Sequence, residues 1–172
     1  MRTIRTKVYK FSELSKDAQQ KAIDSMSDIN VNYDWWDSIY EDAANVGLKL
    51  TGFDLDRRRG ATGEFTLAAN EVAANIFRDH GEMCETYKTA TSFMEDWQPV
   101  FDNYMDENHE DYESRDSEAK LLDIEDEFLK SLLEDYSIIL QKESEYLQSD
   151  KAIQETIESN EYEFTKEGNR LK

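Results

Sequence analysis

The side chains of this chain best placed to do chemistry are carboxylates that recur at helical spacing between residues 95 and 113. Five of them follow one another at steps of 7, 4, 4 and 3, which predicts a single row along one helix face. The row consists of Glu95, Asp102, Asp106, Glu110 and Glu113, and beside it lie Asp96, Glu107 and Asp111. A helix over this stretch rises about 27 Å, so the eight carboxylates average one per about 3.4 Å. Phosphates along one strand of duplex DNA have nearly the same spacing.

A second acidic row is predicted on the long helix that follows. Asp123, Glu127 and Glu134 share one face of it, and Asp126 and Asp135 flank them. Like charges one turn apart destabilise a helix by a few tenths of a kcal/mol per pair, so stability alone would favour alternation with lysine. An acidic face that serves only solubility is the alternative to a binding role. The predicted partner-binding residues are Glu95, Asp102, Asp106, Glu107, Glu110, Asp111, Glu113, Asp123, Glu127 and Glu134.

The charge of the whole chain is concentrated in one half. Of its 39 carboxylates, 23 fall between residues 95 and 163 together with five basic residues, so this stretch carries −18 of the net −19. Such an excess creates a strong directional field and self-repulsion. It predicts a basic protein partner, such as a surface that normally holds nucleic acid. Direct binding to nucleic acid or to an anionic membrane surface is not expected, because both would repel this stretch.

Two aspartates at the end of a predicted strand, Asp54 and Asp56, offer the oxygen ligands that a hard cation prefers. The three arginines that follow, Arg57–Arg59, favour an internal ion pair instead, so no metal site is predicted. These arginines are the only basic run of the sequence. They could contact phosphate, anchor an acidic helix or hold a second subunit, and a homodimer is therefore among the expected assemblies.

His80 and Cys84 lie four residues apart and could form a catalytic pair, with the cysteine as nucleophile and the histidine as its base. The intervening Gly81 interrupts the helix that would align them, and such a pair needs a third group to orient the base. The sequence also lacks a Walker phosphate loop, a Rossmann glycine fingerprint and an HExxH zinc motif. It therefore predicts a protein that is not an enzyme and that carries no cofactor.

Cysteine content and hydropathy indicate the cellular compartment in which the protein is expected. A single cysteine permits no internal disulfide, as expected in a reducing environment. No apolar run approaches the ~18 residues that span a bilayer, and the first residues lack the apolar core of a signal peptide. We therefore expect a cytoplasmic protein.

Apolar periodicity predicts an α+β fold: a small antiparallel sheet of about four strands, with helices on one face and a long acidic helical hairpin. Strands are predicted over residues 3–11, over 48–67 as a hairpin with a bulge near Gly52, and over 161–165. Helices are predicted from Ser12 or Ser15 to about residue 28, and over 33–46, 68–80, 86–113, 117–147 and 150–159.

The acidic helices are expected to pack through an apolar seam within one domain. The seam consists of Phe93, Trp97, Phe101 and Tyr104 on the first helix and Phe128, Leu132, Tyr136 and Ile139 on the second. All 172 residues are expected to form this single domain. Its mixed α/β half, residues 1–88, is nearly neutral, and its acidic helical half, residues 89–172, ends in a short strand.

Several stretches of the sequence resemble a family of small acidic proteins carried by bacteriophages and prophages. The stretches are Asn32–Trp36 running into Ile39–Ala43, Gly47–Leu50 running into Phe53–Arg57, His80–Tyr87, Glu127–Tyr136 and Ile157–Thr165. The resemblance covers most of the chain. It implies a mobile element, the cytosol of a bacterial host and conflict with host defences, and it assigns no catalytic residues.

Three functional hypotheses follow. The first is an inhibitor of a bacterial defence system, of the anti-CRISPR or antirestriction type, that mimics nucleic acid and occupies a basic channel of its target. The second is an antitoxin-like or adaptor module that neutralises a basic toxin or host protein. The third, a metal-dependent enzyme, would need a bound ion and a concave site. The first two differ in whether nucleic acid competes for the partner.

Overall fold

The computed structural model describes residues 7–56 and 60–171. Within them the chain forms six α-helices, a short 3₁₀ helix and four strands, which confirms the predicted α+β class. In chain order the elements are β1 (Tyr9–Lys10), the 3₁₀ helix (Phe11–Glu13), α1 (Lys16–Asp24), α2 (Asp37–Val46), β2 (Leu48–Asp54), β3 (Gly60–Phe65), α3 (Ala69–Asp79), α4 (Glu85–Met105), α5 (Arg115–Leu147), α6 (Asp150–Ser159) and β4 (Glu163–Phe164). No helix in this part of the chain is long and apolar enough to cross a membrane.

Contacts between residues divide the chain into two compact units. The terminal unit combines the described residues up to Trp35 with those from Lys142 onward, and the central unit comprises Trp36–Gln141. Helix α5 contributes residues to both. The expectation of a single domain stays a prediction, because a division of contacts does not measure whether two units unfold together.

The terminal unit brings the two ends of the described chain together. β1 pairs antiparallel with β4, with Tyr9 opposite Phe164. Phe164 is fully buried and meets Phe11 edge-on, at 6.2 Å between ring centroids. The buried core of this unit consists of Phe11, Leu14, Ala18, Ala22, Ile23, Met26, Ile153, Ile157 and Phe164.

β1 is shorter than the strand predicted over residues 3–11. Residues 3–6 of that prediction lie outside the described residues, and the strand ends at Lys10. The backbone N–H of Lys10 donates to a carboxylate oxygen of Glu13 at 2.7 Å. This local bond turns the chain into the 3₁₀ helix, so that Phe11 enters the core.

The central unit contains the predicted β-hairpin, so the four strands are divided between two separate antiparallel pairs. β2 pairs with β3, and a register shift between Leu50 and Gly52 confirms the bulge. Gly47, with φ of 95°, ends α2 in the left-handed conformation, and β2 begins at the next residue. The predicted helix start at residue 33 is wrong, because the backbone N–H of Trp35 donates to the Tyr33 carbonyl at 2.8 Å in a tight turn.

Helices α4 and α5 run antiparallel and form the predicted helical hairpin. Phe93 of α4 stacks on Phe128 of α5, with ring centroids 4.2 Å apart and an interplanar angle of 12°. One turn further along α4, the indole N–H of Trp97 donates to the Glu125 carboxylate of α5 at 3.0 Å. The indole is itself buried, so this hydrogen bond satisfies a donor that water cannot reach.

Most of the predicted seam on α5 is buried as expected. Phe128, Leu132 and Tyr136 are 3%, 0% and 0% exposed. Ile139 is 38% exposed, so its assignment to the seam is wrong. The buried stripe follows steps of four residues from Leu132 through Tyr136 to Leu140, which turns the neighbouring Ile139 toward solvent.

Truncating the buried seam should destabilise the central unit strongly. Leu132→Ala and Phe128→Ala should each lower the free energy of unfolding by about 2–5 kcal/mol, because each leaves a cavity between packed elements. Ile139→Ala is the matched control on the same helix and should change it by at most about 0.5 kcal/mol. Urea denaturation measures all three. Losses below about 0.5 kcal/mol at both seam positions would contradict this packing.

Candidate protein-interaction surface

The helix expected to carry the first acidic row is shorter than predicted. α4 ends at Met105 rather than at residue 113, and residues 106–114 form a series of turns, called here the connecting turn. The prediction of one continuous helical row is therefore wrong beyond Met105. Of that row, Glu95 and Asp102 lie on the helix, and the regular charge spacing ends with it.

Hydrogen bonds of Asp106 explain where α4 stops. Its carboxylate accepts from the backbone N–H of Asn108 at 2.9 Å and from the Asn108 side-chain amide at 3.2 Å. Aspartate and asparagine favour such turns because their side chains compete with helical hydrogen bonds. A carboxylate near the carboxyl end of a helix is also repelled by the helix dipole. The backbone bond from Asn108, followed by the amide bond, lowers the pKa of Asp106.

The connecting turn closes before α5 begins. The backbone N–H of Glu113, a residue with φ of 45°, donates to the Tyr104 carbonyl at 3.0 Å. The Ser114 hydroxyl then accepts from the backbone N–H of Ser117 at 3.1 Å and caps the new helix. Helix α5 consequently starts at Arg115, two residues before the predicted start.

The ten predicted partner-binding residues fall on three consecutive segments of the hairpin. In chain order they are Glu95 and Asp102 on α4; Asp106, Glu107, Glu110, Asp111 and Glu113 on the connecting turn; and Asp123, Glu127 and Glu134 on α5. Nine of the ten are exposed. The tenth, Asp111, is partly buried, and its carboxylate lies 3.6 Å from the His109 ring.

Little of this charge is neutralised within the acidic hairpin, defined here as residues 95–135. It contains sixteen carboxylates and three basic residues, a net charge of −13. Thirteen of these carboxylates are exposed. Lys130 lies 3.6 Å from Glu127, but the two side chains are 71% and 72% exposed. A surface ion pair of this kind contributes at most about 1 kcal/mol to stability. With three basic residues against sixteen carboxylates, the hairpin retains a large uncompensated charge.

Asp135 is an acidic residue of the hairpin that serves packing. Its carboxylate is partly buried and accepts a hydrogen bond from the Thr89 hydroxyl of α4 at 2.7 Å. Burial raises the pKa of Asp135, the negative charges of Glu85 and Glu134 add to this, and the Thr89 bond opposes it. This carboxylate therefore joins the two helices and is not a candidate for partner binding.

Asp54 and Asp56, considered above as ligands of a hard cation, form a turn. The Asp54 carboxylate accepts a hydrogen bond from the backbone N–H of Asp56 at 2.8 Å. Arg57–Arg59 lie outside the described residues, so an ion pair, a phosphate contact or a homodimer through them stays a prediction. Across residues 7–56 and 60–171, no three histidine, cysteine, aspartate or glutamate side chains converge closely enough to hold a metal ion.

His80 belongs to a polar network in the central unit that the sequence did not reveal. Its Nδ1 lies 2.7 Å from the Thr86 hydroxyl, and its Nε2 lies 3.5 Å from one carboxylate oxygen of Asp42. That buried Nε2 makes no hydrogen bond among the described residues. The Tyr136 hydroxyl donates to the other oxygen of Asp42 at 2.8 Å. Both ring nitrogens thus face residues other than Cys84, which is exposed at the start of α4.

No protein-family model, curated protein or solved structure matches this chain. The functional argument therefore rests on the charge, exposure and geometry of the acidic hairpin.

The bond between Asp42 and Tyr136 predicts unequal mutational effects. Asp42→Ala leaves the fully buried Tyr136 hydroxyl without its acceptor, which should lower the free energy of unfolding by about 1–3 kcal/mol. Tyr136→Phe frees a carboxylate that is 51% exposed and can be hydrated, so its cost should be about 0.5–1.5 kcal/mol. The double variant should lose less than the sum of the two single losses. Additive losses in urea denaturation would show that the two groups are not coupled.

The hydrogen bond between Asp42 and Tyr136 should also make the stability of the protein depend on pH. The neighbouring His80 imidazole, together with the Tyr136 hydrogen bond, lowers the pKa of Asp42 below its ordinary value. Ionised Asp42 therefore stabilises the protein above about pH 4, and this contribution is lost as the pH falls through the lowered pKa. The stability difference between the wild type and Asp42→Ala should shrink below about pH 4. An unchanged difference down to about pH 3 would contradict this assignment.

Added salt should raise the stability of the protein. Thirteen exposed carboxylates repel one another on the hairpin, and ions at 0.1–0.15 M screen charges over about 8–10 Å. The Tm measured by calorimetry should therefore increase from low to moderate NaCl. A variant with Glu107→Gln, Glu110→Gln and Glu113→Gln should show a smaller increase. A Tm that stays flat or falls would mean that the carboxylates are paired internally.

Proposed function

We propose that this protein is a phage-type inhibitor of a bacterial defence system whose acidic hairpin occupies a basic nucleic-acid channel on its target. A CRISPR effector or a restriction nuclease would present such a channel. The activity is non-enzymatic: carboxylates take the place of phosphates and exclude the nucleic acid by competition. The phage context is the expectation raised by the sequence resemblance, and the hairpin is the proposed binding surface.

One observation carries this proposal: the hairpin displays thirteen exposed carboxylates with three basic residues among them. Like charges held this close repel one another and oppose the compact state. A role in stabilising the chain therefore does not account for them. A basic partner would offset the repulsion on binding and would be attracted over a distance, which speeds association.

The exposed carboxylates are distributed over all three segments of the hairpin. Helices α4 and α5 carry nine of the exposed carboxylates, and the connecting turn carries the other four. Because the two helices pack side by side, this charge is spread over two adjacent helices and the turn that joins them.

Exposed apolar side chains on the same hairpin favour a protein as the partner. Met105, Tyr112 and Leu122 are 56%, 39% and 58% exposed. Protein interfaces bury methionine and aromatic residues at their centre and keep charged residues at the rim. The same feature suits the second candidate function, an antitoxin-like or adaptor module that neutralises a basic toxin or host protein.

Reversing charge around the connecting turn should abolish partner capture and leave the fold intact. The variant combines Asp102→Lys, Glu107→Lys, Glu110→Lys and Glu113→Lys, all at exposed positions. Asp106 is left unchanged because its carboxylate forms the turn. Proteins from a bacterial lysate that bind the immobilised wild type are identified by mass spectrometry at low and moderate salt. Basic nucleic-acid-binding proteins should be captured by the wild type and lost with the variant.

A matched control separates this surface from a general effect of charge. It combines Asp17→Lys, Asp24→Lys, Asp28→Lys and Glu41→Lys, which are exposed residues outside the hairpin. Both variants have the same net charge, and circular dichroism and melting curves check that both fold. The control should keep most of the capture. Unaltered capture by the hairpin variant, or equal loss in both variants, would overturn the proposal.

A further inference from the structure

A concave groove lies between α4 and α5, away from the connecting turn. Its volume is about 390 Å³, and its lining includes the apolar side chains of Phe93, Ile124 and Phe128. Three carboxylates from the two facing helices line it: Asp96 of α4, and Asp123 and Glu127 of α5. All three are exposed.

We propose that this groove receives an arginine side chain of the basic partner. The inference rests on the proposed function, because it specifies how the partner is held once the hairpin has attracted it. The occupant is a guanidinium group on an aliphatic stem, presented by a protein or peptide.

The size of the groove limits what can enter it. Sites for small organic molecules have volumes of roughly 300–1,000 Å³, and this groove lies near the lower end of that range. It is large enough to admit an extended side chain. The helical hairpin therefore does more than present a charged surface, because it also offers a recess that a side chain of the partner can enter.

The lining of the groove matches both ends of an arginine side chain. The aliphatic stem can lie against Ile124, while the charged end reaches the rim, as long basic side chains do on apolar surfaces. A guanidinium has five donors in a planar fork and can bridge carboxylates that stand on opposite walls, such as Asp96 and Asp123. The hydroxyls of Ser92 and Ser131, which also line the groove, can accept further bonds. An ammonium group is a compact point charge and lacks the planar fork that pairs two donors with one carboxylate.

The basic residues of the chain near the groove neutralise little of the negative charge of its carboxylates. Lys120 lines the groove, but it is exposed and makes no ion pair among the described residues. Lys130 meets Glu127 at the surface, in the solvent-exposed pair described above. Asp123 and Glu127 lie one helical turn apart and repel each other, and a bound guanidinium would relieve this repulsion.

The test is an NMR titration of the intact protein with a short glycine–serine peptide that contains two arginines. A second titration uses the same peptide with both arginines replaced by lysines. The arginine peptide should shift the signals of Ile124 and Ser131 first. Asp96→Asn with Asp123→Asn should weaken its binding by about tenfold or more, equivalent to at least about 1.4 kcal/mol. Glu118→Gln with Asp126→Asn removes the same charge from exposed positions outside the groove and should weaken binding by less than about threefold.

Three results would overturn the inference: equal weakening by both variants, shifts centred away from the groove, or equal affinity for the lysine peptide. The lysate capture separates failure of the groove from failure of the proposed function. If the wild type and the groove variant capture the same basic proteins equally, the function stands and the groove assignment is wrong. If the wild type captures no basic protein, the proposed function itself is wrong.

Discussion

The stacking of Phe93 on Phe128 is the contact that the acidic hairpin depends on, because it holds together two helices whose charges repel. Fully burying a large apolar side chain contributes about 1.5–3 kcal/mol, whereas a like-charge pair one helical turn apart costs a few tenths. A few buried residues such as Trp97 and Leu132 therefore outweigh many surface repulsions. Since the seam occupies one side of each helix, the exposed carboxylates lie on the other sides, whereas Glu125 and Asp135 take part in the packing. Stability and charge display are thus assigned to different faces of the same two helices.

A small set of local hydrogen bonds determines how that charge is arranged in space. The turn of Asp106 with Asn108 stops α4, and the cap of Ser114 on Ser117 starts α5. Without them the apolar periodicity would continue the helix to about residue 113 and extend the charge along one line. With them the chain folds back, so that the charge lies on two packed helices and the turn that joins them, and a groove lies between the helices. The shape offered to a basic partner follows from these few residues.

The sequence predicts the features that depend on neighbouring residues, and it does not predict those that depend on residues far apart in the chain. Gly47 and the run of apolar residues along α5 are local signals, and the elements they predict are present. The end of α4 was missed because Tyr104 and Tyr112 keep a helical spacing that conceals the turn signal of Asp106. The pairing of β1 with β4, and the network that joins Asp42 to His80 and Tyr136, bring together residues far apart in the chain. No local pattern marks such contacts, and the groove is likewise a product of how two helices pack.

The central claim is that carboxylates of the hairpin replace phosphates on the partner. It is tested most directly by competition for the purified partner, in which duplex nucleic acid and this protein are titrated against each other at several salt concentrations. The account predicts mutually exclusive binding, with the affinity of the partner for each competitor falling as salt rises. A stable ternary complex of partner, nucleic acid and this protein would contradict it.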